Sequence, residues 1–185
     1  MPSPTLYLFG GANGSGKTTF ARAFLPHRAE AVRFLNADEF ARGLSPFAPE
    51  TVAVKAGRLL LGEVTECVRA RQSFALESTL SGHTYVRLLR SACEAGFSIQ
   101  LNYLWLPSAE LAVRRVRQRV RKGGHSVPEA DVRRRYGRSI QHLLADYLPL
   151  ADGWWIWDNE QNPPQLLASR ETHGIDFLSA LLNAR

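Results

Sequence analysis

Short runs of apolar residues alternate along the chain with longer segments in which apolar residues recur every three or four positions. The short runs are rich in β-branched and aromatic side chains, a pattern that predicts buried strands. They are Thr5–Phe9, Val32–Leu35, Ser73–Leu76, Phe97–Leu106 and Trp154–Trp157. The helical spacing predicts helices at Lys17–Leu25, about Thr51–Arg71, His83–Ala95, Glu110 to about Lys122, Pro128 to about Tyr147, and from Gly174. This alternation of strands and helices indicates an α/β domain with a mainly parallel sheet.

Polar residues are concentrated where four of the predicted strands end. These segments are Gly10–Thr18, Asn36–Asp38, Glu77–Thr79 and Asp158–Asn159. In open parallel sheets, ligands bind in the crevice at the carboxyl ends of the strands. We therefore expect the four segments to line one crevice. The predicted architecture is a single domain over residues 1–185, a three-layer sandwich around a mainly parallel, five-stranded sheet.

Residues Gly11–Thr18 match the phosphate-binding motif G-x-x-x-x-G-K-[ST] without a mismatch. A strand is predicted just before the motif and a helix just after it, as a P-loop requires. The backbone N–H groups would surround the phosphates of ATP, Lys17 would bridge the β- and γ-phosphates, and the Thr18 hydroxyl would bind Mg²⁺. The alternative is a glycine-rich turn that only joins strand to helix. The predicted ATP-binding residues are Gly11, Ala12, Asn13, Gly14, Ser15, Gly16, Lys17, Thr18 and Thr19.

Carboxylates follow the second and third predicted strands. Asp38 could accept the proton of a phosphoryl acceptor, with Glu39 as the competing candidate. The alternative for Asp38 is an N-cap of a short helix over Glu39–Arg42. Glu77 and Thr79 could bind substrate hydroxyls, and Glu77 could also orient metal-bound water. The alternative for this segment is capping of the helix that follows it.

The basic residues are concentrated in one segment. The chain has a formal net charge of +6, yet residues 114–138 contain ten of its 23 Lys and Arg residues and two of its 17 acidic residues. The rest of the chain is slightly acidic, which indicates a local anionic ligand rather than a long polyanion. A helical hairpin hinged at Gly123–Gly124 would form a basic lid over about residues 108–146. Since only a few of these cations can reach one triphosphate, the others would be solvated.

Composition is that of an ordinary globular protein, with 45% hydrophobic and 22% charged residues. No apolar run approaches the roughly 20 residues that span a bilayer, so no membrane association is expected. Met1–Thr5 lacks the basic start of a signal peptide, and we expect a cytoplasmic protein. Cys67 and Cys93 are then expected to be reduced thiols without a chemical role.

Taken together, these motifs resemble those of the zeta-toxin family of P-loop kinases, in particular its stand-alone bacterial members. The resemblance covers about Leu6–Leu144. The matching segments are Gly10–Thr19, Asn36–Phe40, Phe74–Thr79, Gly123–Pro128 and Arg135–Ser139.

The resemblance implies a kinase that uses ATP and Mg²⁺. The best-known substrate of the family is UDP-N-acetylglucosamine, phosphorylated at a sugar hydroxyl, and an antitoxin protein is a candidate partner. By the same resemblance, Lys17 is a catalytic residue, Asp38 the catalytic base and Glu77 a substrate-pocket carboxylate. The residues that match the family's lid are Arg119 and Arg135, as catalytic arginines, and His125 and Arg138, as substrate contacts.

Three function classes are consistent with these features. The leading hypothesis is a small-molecule kinase that acts on a UDP-sugar or another hydroxylated metabolite. A second is a nucleotide-dependent ATPase or switch, in which no acceptor is phosphorylated. A third is a nucleic-acid-end kinase, but a polynucleotide track would need basic and aromatic residues outside the lid. Nucleic acid is therefore not an expected partner.

Overall fold

The computed structural model describes residues 3–27, 32–124 and 126–183. The strands are β1 (Thr5–Gly10), β2 (Arg33–Asn36), β3 (Phe74–Ser78), β4 (Ser98–Trp105), β5 (Gly153–Asp158) and β6 (Gln165–Ser169). The α-helices are α1 (Lys17–Phe24), α2 (Ala37–Leu44), α3 (Ala53–Arg69), α4 (Thr84–Glu94), α5 (Ala109–Arg121), α6 (Glu129–His142) and α7 (Ile175–Asn183). Short 3-10 turns occupy Leu25–His27, Pro49–Val52 and Leu148–Leu150, and a π-helix occupies Leu143–Tyr147. The predicted alternation of strands and helices is confirmed.

The strands form one sheet in the order β2-β3-β1-β4-β5-β6. β1 lies between β3 and β4 and is parallel to both, which brings its last residue, Gly10, level with Ser78 and Tyr103. β2 is parallel to β3 on the far side. The carboxyl ends of the first four strands therefore meet at one edge of the sheet, as the distribution of polar segments predicts.

The prediction of five strands is wrong by one. β6 pairs antiparallel with β5 at the edge of the sheet. Of its five residues only Ala168 and Ser169 are buried, and Leu166 is 50% exposed. Its apolar run, Leu166–Ala168, is only three residues long, and for this reason the pattern of apolar residues did not predict it.

Helices cover both faces of the sheet, so the three-layer arrangement is confirmed. The side chains of β1 alternate between the two faces: Leu8 packs in the larger core with Leu60 of α3, and Phe9 packs with Ala21 of α1. Full burial of a Leu or Phe side chain stabilises the fold by about 1.5–3 kcal/mol. Among the residues that the structure describes, no helix combines the length and apolar character needed to cross a membrane.

Helices α5 and α6 form a hairpin with a small apolar core of its own. The Ser108 side chain caps α5 by accepting a hydrogen bond from the backbone of Leu111 at 3.1 Å. Val116 of α5 packs with Val132 of α6 in this core. Gly123 has a φ of 81°, in the left-handed region that favours glycine, and it ends α5 at the predicted hinge. Whether the hairpin moves as a lid remains a prediction.

The carboxyl-terminal half of α6 is fixed to the sheet. Ser139 and Tyr103 of β4 share a buried hydrogen bond of 2.8 Å. The predicted helix to Tyr147 is interrupted, because α6 ends at His142 and the chain continues as a π-helix over Leu143–Tyr147. The end of the hairpin at α6 is therefore anchored to the sheet.

Candidate functional site

The loop that joins β1 to α1, Gly11–Gly16, is held in a tight turn by its neighbours. Gly14 and Gly16 have φ values of 80° and 86°, which favour glycine. A Cβ atom on Gly14 would lie 2.8 Å from the carbonyl of Ala112, and one on Gly16 would lie 2.4 Å from Asn159 Nδ2. Asn159, at the end of β5, also donates a 2.6 Å hydrogen bond to a carbonyl of this loop. The end of β5 therefore lies against the P-loop, but neither Asp158 nor Asn159 is among the residues that line the cleft described below, so the expectation that this segment lines the crevice is wrong.

Lys17, the first residue of α1, is only 7% exposed. Its Nζ donates a 2.9 Å hydrogen bond to the carbonyl of Ala12, which fixes the ammonium group at the loop. Burial lowers the pKa of Lys17 from its usual value. Four other charged groups act on this pKa, two carboxylates that raise it and two guanidinium groups that lower it: Glu77, Asp38, Arg119 and Arg135. Charges from both walls of the site therefore converge on Lys17.

Thr18, Asn36 and Glu77 form a hydrogen-bonded cluster across three elements. The Thr18 hydroxyl and the Asn36 side-chain amide each donate a 2.8 Å hydrogen bond to Glu77 Oε2. Both contacts orient the carboxylate beside the hydroxyl that the motif assigns to Mg²⁺. The structure thus brings Glu77 into contact with the P-loop. A carboxylate that served only the substrate pocket would not need this contact.

The side chain that caps α2 is that of Asn36, not that of Asp38. Asn36 Oδ1 accepts hydrogen bonds from the backbone N–H groups of Asp38 and Glu39, at 2.8 and 3.4 Å. The capping alternative for Asp38 is therefore wrong, and its carboxylate lines the cleft beside the P-loop. The competing carboxylate, Glu39, lies 3.3 Å from Arg42 and 3.6 Å from Arg22 in ion pairs.

These groups line one cleft of about 630 Å³. Most of the predicted site residues lie on its surface: Asn13, Gly14, Gly16, Lys17, Thr18, Thr19, Asp38, Glu77, Thr79, Arg119 and Arg135. The other predicted ATP-binding residues are buried within the loop: Gly11, Ala12 and Ser15. Thr79 shares a 2.8 Å hydrogen bond with Ser81, which also lines the cleft.

The hairpin contributes three arginines to the cleft, namely Arg115, Arg119 and Arg135. Arg138 was predicted as a substrate contact, but it is exposed on α6 and is not among the residues that line the cleft. Other arginines form ion pairs on the hairpin's outer surface: Arg117 with Glu129, Arg133 with Glu110 and Glu129, and Arg134 with Asp131. As expected, some basic residues of the hairpin line the cleft and others lie at the solvated surface. His125 lies outside the described residues.

Besides Ser78 and Ser81, five polar residues of the cleft were given no role by sequence reasoning: Arg22, Asn36, Arg42, Tyr85 and Arg115. Two of these had a signal. Asn36 begins the same motif as Asp38, and Arg115 precedes Arg119 by one helical turn on the same face of α5. The other three come from helices whose inward-facing residues depend on how those helices pack.

Basic side chains outnumber acidic ones in the cleft. Six basic residues line it, against three acidic residues: Asp38, Glu39 and Glu77. A concave surface with this balance attracts an anion, and the Glu77 carboxylate beside the Thr18 hydroxyl offers oxygen atoms of the kind that a divalent cation prefers. The arrangement suits a polyphosphate bound together with a metal ion.

Comparisons with solved structures define the class of fold. The chain is similar to a structure of the PezAT chromosomal toxin–antitoxin system of Streptococcus pneumoniae, with a TM-score of 0.70 and 16% identity over 100% of this chain and 80% of that chain. For the AvrRxo1-ORF1:-ORF2 complex with ATP, the TM-score is 0.72 at 18% identity, over 90% of this chain and 58% of that chain. For shikimate kinase of Bacteroides thetaiotaomicron, it is 0.53 at 15% identity, over 97% and 98%. The protein has the P-loop kinase fold.

Sequence comparisons show the family. A family model described as an AAA domain matches residues 6–138, and the chain belongs to this family. An uncharacterized protein of Haemophilus influenzae is 34% identical over 126 residues, which cover 68% of this chain and 88% of that protein.

Proposed function

We propose that the protein is an ATP-dependent kinase that transfers the γ-phosphoryl group to a hydroxyl of a UDP-sugar or a related metabolite. The observation that carries the proposal is the convergence of Asp38, Lys17, Arg119 and Arg135 on one cleft. Such a set contains a proton acceptor, a phosphate-binding ammonium group and two cations for the transferring group. Phosphoryl transfer needs little more than this positioning and charge stabilisation.

The P-loop is the proposed site of the ATP phosphates. Its backbone N–H groups and Lys17 would bind the β- and γ-phosphates. Mg²⁺ fits beside them, because the Thr18 hydroxyl and the Glu77 carboxylate are the hard oxygen donors that this ion prefers, and they already contact each other at 2.8 Å. When bound, Mg²⁺ would neutralise charge on the phosphates.

Asp38 is the proposed catalytic base. It would accept the proton of the acceptor hydroxyl while the hydroxyl oxygen forms a bond to the γ-phosphorus, and the bond to the β-phosphate oxygen breaks to release ADP. The Asn36 cap supports this role, because it satisfies the amino terminus of α2 and leaves the Asp38 side chain at the cleft. Arg119 and Arg135 would stabilise the charge on the transferring group.

The rest of the cleft supports a hydroxylated and anionic acceptor. Hydrogen-bonding side chains line its wall after β3, where Thr79, Ser81 and Tyr85 lie. Two further cations, Arg22 and Arg42, lie on the side of α1 and α2, where they could pair with a second phosphate-bearing group. A sugar nucleotide has both features, since it joins a polyhydroxylated ring to a diphosphate.

The direct test is incubation with γ-labelled ATP, Mg²⁺ and a metabolite panel that includes UDP-N-acetylglucosamine. We expect an acceptor-dependent gain of one phosphate, detected by mass, and its loss in Asp38→Asn. If the panel yields only acceptor-independent release of inorganic phosphate, the protein is an ATPase or switch. Transfer to another hydroxylated metabolite but not to the sugar nucleotide would reject the UDP-sugar assignment alone.

The relation to the PezAT toxin–antitoxin system extends the proposal to an antitoxin partner. A kinase that consumes a UDP-sugar needed for wall synthesis would slow bacterial growth when expressed without its partner. We expect growth inhibition by the wild-type chain and none by Asp38→Asn at equal protein level. Equal growth of the two strains would argue against toxicity and remove the need for an antitoxin.

A further inference from the structure

A cluster of two histidines and one aspartate lies outside the residues that line the cleft. His83 directly precedes α4, His142 is the last residue of α6, and Asp146 lies in the π-helix. One ligand atom from each side chain can be chosen such that all three lie within 4.8 Å of one another. Two imidazoles and a carboxylate are a common ligand set for transition metals, and Zn²⁺ is among those that imidazole suits.

The distances are close to those that a tetrahedral metal requires. Asp146 Oδ2 lies 2.7 Å from His142 Nδ1 and 3.5 Å from His83 Nδ1, and the two rings are 4.2 Å apart, centroid to centroid, at 78°. With metal–ligand bonds of about 2.0–2.2 Å, tetrahedral ligands are separated by about 3.3 Å. Side-chain rotations would bring the three ligand atoms toward this separation.

The backbone around the cluster is already fixed. Tyr147, which is fully buried, donates a 2.7 Å hydrogen bond from its hydroxyl to the carbonyl of Gly82. This contact joins the residue after Asp146 to the residue before His83. Asp146 itself lies in a π-helical turn, an uncommon feature that is frequently found at functional sites.

The exposure of the three side chains suits an ion that enters from solvent. His83 is 66% exposed, whereas His142 and Asp146 are 18% and 25% exposed. The exposed member can therefore close over an ion that the two half-buried ones hold. The hydrogen bond between His142 and Asp146 can form without His83, so it does not account for the third member of the cluster.

We propose that His83, His142 and Asp146 form a site for a transition-metal ion, with Zn²⁺ as the expected occupant. Three protein ligands leave a further position for water. The ion would join the segment after β3, which contributes Thr79 and Ser81 to the cleft, to the end of α6. We expect the bound ion to stiffen that wall of the cleft. The proposal of a metal site does not depend on the kinase proposal.

The experiment is calorimetric titration of the untagged, full-length protein with Zn²⁺ in the absence of ATP. An excess of Mg²⁺ is present to occupy sites made of oxygen ligands, which Mg²⁺ prefers and this cluster would not offer. We expect one equivalent of Zn²⁺ to bind. At a free Zn²⁺ concentration about a hundred times Kd, the melting temperature should rise by about 5–10 °C.

Matched histidine variants locate the ion. His83→Gln should weaken Zn²⁺ binding at least about tenfold, the lower end of what losing even an outer partner of a metal costs. Because His83 is mostly exposed, this variant should fold normally, and His142→Gln provides a second ligand variant. His27→Gln removes an exposed histidine elsewhere and should bind like the wild type.

Co²⁺ provides a readout of geometry, since a tetrahedral site gives an intense visible absorption that disappears in His83→Gln. Failure of the wild-type protein to bind one equivalent of Zn²⁺ would overturn the proposal. So would binding that survives both ligand variants.

Discussion

The P-loop at Gly11–Thr18 and the α5–α6 hairpin both line the cleft, yet they are built differently. The P-loop is one contiguous segment whose shape is set by glycines and buried contacts. Its backbone N–H groups are the groups expected to bind the phosphates. The hairpin presents long, flexible side chains, and of the ten basic residues in 114–138 only Arg115, Arg119 and Arg135 line the cleft. The P-loop is therefore organised before a ligand binds, whereas the arginines of the hairpin can move toward a bound ligand.

This difference separates two kinds of contribution to the proposed reaction. The sheet side carries the groups that must be in place for any chemistry, namely the P-loop and the carboxylates at the ends of β2 and β3. The hairpin side carries arginines, whose positive charge contributes only as negative charge develops on the transferring phosphoryl group in the transition state. Substitutions on the two sides should therefore differ in size and in the step that they affect.

The largest effect is expected on the sheet side, from Asp38→Asn. The amide cannot accept a proton, so the kcat of phosphoryl transfer should fall about 10²–10⁴-fold, or about 3–5 kcal/mol in barrier height. ATP affinity, measured by calorimetry, should be nearly unchanged because Lys17 and the P-loop remain intact. Full activity in this variant would remove Asp38 as the base.

Glu39→Gln is the matched control for Asp38→Asn. It changes the neighbouring carboxylate, which is engaged by Arg22 and Arg42, and should leave kcat close to that of the wild type. A larger loss in Glu39→Gln than in Asp38→Asn would transfer the role of base to Glu39.

On the hairpin side, Arg119→Ala should lower kcat by about 10²–10³-fold, the usual cost of removing one group that stabilises transition-state charge. Its counterpart is Arg117→Ala, which removes an arginine of the same helix that pairs with Glu129 on the outer surface. We expect no change in kcat for that variant. Equal losses in both would show that the net charge of the hairpin matters rather than the position of its arginines.

The same contrast explains which parts of the site the sequence could predict. The P-loop was predictable because its geometry is encoded in eight consecutive residues, flanked by a strand and a helix. The hydrogen bond between Thr18 and Glu77 joins residues 59 positions apart, and nothing local specifies it. For α5, the family resemblance indicated Arg119, whereas Arg115 was assigned to the cleft only once the packing of Val116 fixed the orientation of the helix.

A smaller effect is expected from Glu77→Gln, which tests whether Glu77 serves the metal or the acceptor. The amide oxygen can still accept hydrogen bonds from Thr18 and Asn36, so the fold should persist. If Glu77 helps to hold Mg²⁺, the Mg²⁺ concentration needed for half-maximal activity should rise about 10–100-fold. Excess Mg²⁺ should then restore much of the rate, as a titration at saturating ATP would show.

An unchanged Mg²⁺ requirement with a raised KM for the acceptor would instead favour the substrate-pocket role that the family resemblance implies. On the sheet side of the cleft, the boundary between the residues that bind ATP and those that bind the phosphoryl acceptor would then fall at β3 rather than at β2.

The smallest effect belongs to the outer surface of the hairpin, where Glu129→Gln removes a carboxylate bonded by Arg133 and Arg117. These hydrogen bonds lower the pKa of Glu129 below its usual value of 4.5. A lowered pKa in the folded state means that the carboxylate stabilises the fold above pH 4.5 and loses this contribution as the pH falls through the folded-state pKa. Urea unfolding should therefore find the wild type slightly more stable than the variant at pH 7, with a gap that closes on acidification.

Phosphoryl transfer at neutral pH should be the same in Glu129→Gln as in the wild type, because the outer ion pairs are screened by solvent and face away from the cleft. If kcat changed while stability did not, Arg117 and Arg133 would have to communicate with the cleft through α5 and α6. The hairpin could then no longer be divided into a reactive face and a solvated one.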